Sequence, residues 1–300
     1  MDRRRARMRG LAIASLLVGL AACQGAPSEP VSAPPDIAGL EWLDAKADPV
    51  MHLTQQPSTC LMAPEDPAVQ RGALLFESPM LLGGQAAKAG LSCAACHRNG
   101  RGNPDFVFVG ISGAPGTADV THGLFSKIRA DNVFNPVPIP DLASADGQTR
   151  VNRDRDGALE TFLSAQIVEE FSGTPLDPFV ISDLAAYIRA LDASACPQPA
   201  REPQSWRRET ELIKAGLAPE TAASITYINA MRAAAGRLHE RFPASQHHAL
   251  RERLVDFSRA LAAGHDLDEL KAALTTLEST LAGADTTSFY DPATVVAAWP

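Results

Sequence analysis

The feature that most constrains this 300-residue chain is one pentapeptide, Cys93-Ala94-Ala95-Cys96-His97. Two thiols three positions apart, followed at once by a histidine, have the spacing for covalent haem attachment. Each thiol can add to one of two vinyl groups on one edge of the porphyrin, and the histidine then reaches the iron from the same side. A covalent link retains haem even where burial is modest, so the chain must fold around this turn. A bare C-x-x-C pair also serves thioredoxin-like dithiols and half of a zinc site. Here no second C-x-x-C exists and no alternation of strand and helix surrounds the pair. The motif predicts one haem c, held by Cys93, Cys96 and His97.

The N-terminus reads as a targeting segment. Residues 1–9 carry Arg3, Arg4, Arg5, Arg7 and Arg9, and residues 11–20 are apolar. The run is too short to span a bilayer and has the layout of a secretory signal. It ends at Leu20-Ala21-Ala22-Cys23, which resembles a bacterial lipoprotein signal. That resemblance implies cleavage after residue 22 and lipidation of Cys23. Gln24 implies the outer membrane, with the protein facing the periplasm. An ordinary signal with an incidental Cys23 is the alternative. Residues 23–37, rich in Pro and Ser, read as a flexible tether to the membrane. Export also favours disulfides. With Cys23, Cys93 and Cys96 assigned, Cys60 and Cys196 remain and are expected to pair, closing a long loop worth roughly 4–5 kcal/mol in the chain-entropy model. The net charge of −8 argues against a nucleic-acid partner.

The remaining pattern is helical. Aromatic residues make up only 6% of the chain, and helical spacing recurs in 68–76, 159–171 and 178–191. Between them, residues 100–140 are rich in Gly, Pro, Asn and Asp, a long irregular wrap of the kind that serves a ligand. From residue 205 the pattern changes. Ile225, Ile228, Met231, Ala235 and Leu238 share one spacing; Leu250, Leu254, Phe257 and Leu261 another; and Leu267, Leu270, Leu274, Leu277 and Leu281 a third. Gly264 suits a helix end and Asp266, with Glu269 three residues on, a helix start, so the last two helices should form a hairpin. The expected fold is all-α: a cytochrome c-like haem domain with long irregular loops over 38–197, then a small antiparallel helical bundle over 205–300.

The iron needs a further axial ligand, for which Met and His are the usual donors. No Met follows His97 before residue 191, and the only further His in that stretch is His122. Bis-His ligation by His97 and His122 is therefore expected. Met51, His52, Met62, Met80 and an open sixth site are the rivals.

A longer pattern sharpens this reading. Gly72 and Phe76 on one helix, with Tyr187 on another, look like the crossing terminal helices of cytochrome c domains. Arg71 to Leu81 followed by Ser92-Cys93-Ala94-Ala95-Cys96-His97 resembles the N-terminal haem domain of bacterial di-haem cytochrome c peroxidases. His122-Gly123, Arg129, Asn135-Pro136 and Pro140-Asp141-Leu142 extend the likeness over residues 68–142. The resemblance implies His97 as proximal and His122 as distal ligand, and Arg129 as partner of a haem propionate. The family carries two C-x-x-C-H motifs, however, and this chain has one, so the second electron store needed for two-electron peroxide reduction is lacking.

The expected function is single-electron transfer at the cell envelope by a monohaem cytochrome, between a redox protein donor and an acceptor. Two alternatives stay open. One is a peroxidase-like enzyme or haem sensor with an openable sixth site. The other is a haem-bearing subunit that docks a redox partner through its C-terminal helices.

Overall fold

The computed structural model describes residue 37 and residues 39–144, 157–196 and 201–299. The signal segment, Cys23 and nearly all of the tether lie outside the described residues. Aspartate caps open the first helices. The Asp48 carboxylate accepts from the Val50 and Met51 amides before α1 (Pro49–Thr54), and Asp66 accepts from Ala68 before α2 (Pro67–Phe76). In both, proline fills the first turn, where its lack of an N–H costs nothing. The chain leaves α1 as a short strand, β1 (Gln55–Pro57), before reaching α2. Single turns follow α2: α3 (Gly84–Lys88) and α4 (Cys93–Cys96). The wrap that comes next has one small ladder, β2 (Thr117–Ala118) antiparallel to β3 (Val137–Pro138).

Next, α5 (Ala158–Ala165) runs on into a π-helical turn, Gln166–Glu170, where the sequence spacing had suggested one continuous helix. α6 (Pro178–Ala190) is capped by Asp177. β4 (Arg201–Pro203) pairs antiparallel with β1, Gln55 lying opposite Pro203. Five helices complete the chain: α7 (Trp206–Gly216), α8 (Ile225–Glu240), α9 (Ala244–Ala263), α10 (Leu267–Ala284) and α11 (Pro292–Ala298). Among the described residues the architecture is mostly helical, 56% helix against 6% strand, so the all-α expectation needs the correction of two short ladders. Among the described residues no helix is long and apolar enough to cross a membrane.

The C-terminal stripes are buried as core. Leu250, Leu254, Phe257 and Leu261 of α9 and Leu270, Leu274, Leu277 and Leu281 of α10 are all buried, while Leu267, expected on the last stripe, begins α10 and is half-buried. On α8 the buried face is Tyr227, Ala230, Met231, Ala234, Ala235 and Leu238; Ile225, expected on it, begins the helix and is exposed. Gly264 ends α9 in the left-handed region at φ +70°, and Asp266 caps α10 two residues later, making the expected hairpin.

These helices do not stand apart from the motif-bearing part. α2 packs on α6, α7 and α8, and one continuous core contains residues from both. The α2–α6 crossing depends on Gly72. A Cβ there would lie 2.1 Å from the Asp183 carbonyl oxygen and 2.7 Å from the Tyr187 Cβ. The Phe76 and Tyr187 rings then meet at 5.1 Å. Beside the crossing, Arg71 forms a buried fork to Asp183, which also accepts from the Tyr227 hydroxyl at 2.5 Å. At the end of α2, Glu77 sits between Arg208 of α7 (2.5 Å) and Arg237 of α8 (2.9 Å). Ile37, at the expected end of the tether, is buried against Leu53, Phe289 and Val295 and belongs to the folded body.

Candidate functional site

The turn α4 places Cys93 and Cys96 at i and i+3, on one side of the helix. His97 ends it: its amide still donates to the Cys93 carbonyl at 2.8 Å, but its backbone has left helical geometry. The next residues fix the turn from behind. The Asn99 amide group donates to the Pro57 carbonyl at 2.8 Å, and that of Asn103 to the Ala95 carbonyl at 2.8 Å.

The two thiols are unpaired and only partly exposed. Burial pushes Cys93 up to about 11 and Cys96 up to about 12, so both are neutral thiols at pH 7. A thioredoxin-like dithiol needs the opposite, a thiolate at neutral pH. A zinc site needs about four ligands, and no group of three or more His, Cys, Asp or Glu among the described residues is placed to hold a metal ion.

The imidazole of His97 is pre-oriented. Its Nδ1 lies 3.0 Å from the Pro140 carbonyl oxygen. An oxygen there can only accept, so Nδ1 carries the proton and Nε2 keeps its lone pair. Burial pushes the pKa down to about 4, with Pro140 and Asp141 opposing it, and the ring is neutral at pH 7. A neutral histidine whose second nitrogen is held by a carbonyl is the usual form of a metal-ligating histidine. Two neutral thiols beside such an imidazole fit the donor set of an attached haem.

His122 is placed differently. It lies in a turn after β2, where its carbonyl accepts from the Phe125 and Ser126 amides. Phe125 anchors the turn in a row of rings, with Phe108 at 5.5 Å and Phe171 at 5.6 Å. The Leu124 amide donates to His122 Nδ1 at 3.1 Å. In a neutral ring that puts the proton on Nε2, the reverse of His97. To ligate through Nε2, the ring must give up the Leu124 bond and change tautomer. His122 makes no hydrogen bond or ring contact with the 93–97 turn.

The rival ligands are placed as follows. Met51, Met62 and Met80 are exposed. His52 Nδ1 lies 3.2 Å from Arg98 Nη1, and burial with two nearby arginines, Arg98 and Arg241, pushes its pKa down to about 3.

The Arg129 guanidinium, which the resemblance makes a propionate partner, is engaged by Glu169, at 2.7 Å and 3.0 Å, and by Glu170 at 2.6 Å. Arg101 is likewise paired, with Asp141. Arg98 donates to the His52 and Gln55 carbonyls and has no carboxylate partner within ion-pair distance among the described residues. Cys60 and Cys196 are joined in a disulfide with a Cα–Cα distance of 4.3 Å. The residue that sequence reasoning missed is Pro140. Its segment was singled out by resemblance, but the role belongs to a backbone carbonyl, which leaves no side-chain signature.

Compared with family models, curated proteins and solved structures, the chain matches none. The functional reading therefore rests on the site itself.

Proposed function

We propose that this chain is a monohaem c-type cytochrome that passes single electrons between redox proteins at the cell envelope. The observation that carries the reading is the His97 Nδ1–Pro140 carbonyl bond beside two neutral thiols. Cys93 and Cys96 are the attachment points and His97 the axial ligand. When bound, haem supplies a one-electron ferric/ferrous couple. The residues do the rest: Pro140 fixes the ring plane and tautomer of His97, and burial keeps that ring neutral. The likeness of residues 68–142 to the N-terminal domain of di-haem peroxidases supports a cytochrome c-like haem domain. The lipoprotein-like residues before Gln24 support a membrane anchor through Cys23.

One observation favours a second reading. The Leu124 amide on His122 Nδ1 leaves that residue unready as a ligand, which suits a haem enzyme or sensor whose sixth position opens. The docking-subunit reading gains no such support, because the bundle's leucines are buried.

The test is a visible spectrum of the protein matured with haem, ferric and ferrous, with and without carbon monoxide. Haem that survives denaturation, a low-spin spectrum and no carbon monoxide shift support the electron carrier with His122 bound. A high-spin spectrum with carbon monoxide binding selects the open-site reading. Absence of covalently bound haem overturns both.

A further inference from the structure

We propose that Arg101 is a positioning residue for His97, with the Cys60–Cys196 disulfide as the anchor against which it works. The inference rests on the haem reading above. Arg101 lies four residues beyond His97, and its guanidinium touches two things at once. Nε reaches both carboxylate oxygens of Asp141 at 2.8 Å, and Nη2 reaches Oδ2 at 2.7 Å. On its other side, Nη1 lies 2.8 Å from Cys60 Sγ and 3.0 Å from Cys196 Sγ. Asp141 directly follows Pro140, whose carbonyl receives the Nδ1–H of His97 at 3.0 Å. An unbroken chain therefore runs from the disulfide through Arg101 and Asp141 to the proximal histidine.

The geometry of that chain matters because the acceptor is a backbone carbonyl. Its direction is set by the Pro140–Asp141 peptide plane, and the Asp141 side chain holds one end of that plane to Arg101. The backbone around it is held by the Ile139 amide on the Gly116 carbonyl at 2.9 Å, the Leu142 amide on the Gly100 carbonyl at 3.1 Å and the Ser144 amide and hydroxyl on the Asp141 carbonyl at 3.1 Å and 2.7 Å, while the Ala143 amide shares the Asp141 carboxylate at 3.0 Å. A planar guanidinium forked onto a carboxylate adds rigidity that a lysine cannot reproduce. The disulfide fixes the far side of the guanidinium. The Asp192 amide donates to the Cys60 carbonyl at 2.9 Å, and the Ala193 amide to the Ala143 carbonyl at 2.9 Å, which tie that anchor back to the same strap.

A firm Nδ1–H···O=C bond makes the imidazole a stronger donor and favours the ferric state. Loosening the strap should shift the equilibrium toward ferrous. The experiment uses the full-length protein matured with haem and reads its midpoint against a reference dye. Arg101→Gln combined with Asp141→Asn removes the ion pair without changing net charge. It should shift the equilibrium toward ferrous by on the order of tenfold, equal to about 59 mV for a one-electron couple. Arg101→Lys should shift it less, in the same direction. Cys60→Ser with Cys196→Ser should move it the same way, and adding these to the first pair should move it no further, since one linkage can be broken only once.

A folded Arg101→Gln/Asp141→Asn protein with attached haem and an unmoved midpoint overturns the proposal and leaves the haem reading intact. If that variant does not fold, the disulfide variant decides, and an unmoved midpoint there overturns the proposal equally. A wild-type protein without covalently bound haem overturns both.

Discussion

The leucines of α9 and α10 are buried against one another and their neighbours, whereas many apolar side chains of the wrap between residues 98 and 144 are at the surface. Val109, Leu124, Ile128, Val133, Phe134 and Val137 are all exposed. Among the described residues from 201 onward, only Ile225 and Val296 are large apolar side chains left in solvent. The two regions are built on different terms. The C-terminal helices bury their own stripes against one another and, through α7 and α8, against α2. The wrap sends Phe106, Ile111, Phe125 and Leu142 into the core and is otherwise held by turns and side-chain bonds around the motif for which a ligand is proposed. Dependence on that ligand should therefore be concentrated in one region.

The largest expected effect tests this dependence. Cys93→Ser combined with Cys96→Ser should abolish haem retention on a denaturing gel. It should also lower the stability of the wrap, read as faster proteolysis between residues 98 and 144, while the far-ultraviolet helical signal of α8–α10 is largely kept. Equal loss of both signals would erase the proposed contrast.

The second effect acts on the joint between the regions. Burial works against ionisation of Glu77, but Arg208 and Arg237 overcome it and hold its carboxyl below the usual carboxylate range. Glu77→Gln leaves the partly buried Arg208 guanidinium without its carboxylate, while Arg237 keeps Glu209 at 2.7 Å, and should cost about 3 kcal/mol in urea unfolding. The pH dependence follows from the sign of the shift. A carboxyl depressed in the folded state contributes fully above its unfolded value, near 4.5, and that contribution is lost as pH falls through the lower folded value. The wild type should therefore lose stability below about pH 4.5 more steeply than Glu77→Gln. Parallel profiles would remove Glu77 from the joint.

This joint also shows where the sequence stops being legible. Helical spacing and caps located α2, α6, α8, α9 and α10, because burying a stripe imposes a period on the residues that form it. Gly72 and Tyr187 could be matched through the resemblance to the terminal helices of cytochrome c domains, where a small residue lets an aromatic approach. Glu77, Arg208 and Arg237 could not be matched. A charged residue is solvated by default, and nothing local marks which few will be enclosed. The same holds for α7, whose apolar residues Trp206, Leu212 and Ile213 are spread among charges. At the site, the Cys93–His97 turn was legible as a candidate because its spacing is written in the sequence itself. The Pro140 carbonyl was not, and neither was the tautomer of His122, which a backbone amide decides.

The third effect is Gly72→Ala. The new methyl would overlap the Asp183 carbonyl and the Tyr187 Cβ, so α2 and α6 must separate. Overpacking of this kind should cost about 2 kcal/mol. Because α2 also packs on α7 and α8, the loss should appear in both the wrap and the C-terminal helices. A change confined to one region would mean that α2 is not their common support.

The smallest effect is the most discriminating about cooperativity. The Asp266 carboxylate accepts from the Asp268 amide at 2.8 Å and the Glu269 amide at 3.4 Å at the start of α10. Asp266→Ala leaves those amides to water and should cost about 1 kcal/mol. The substitution lies far along the chain from Cys93 and touches nothing near the motif. If the regions unfold as one body through their shared core, the haem absorbance and the far-ultraviolet signal should shift to the same lower urea midpoint. If the C-terminal helices form a separate unit, only the helical signal should move. The first result would make the contrast between the regions one of construction alone; the second would extend it to stability.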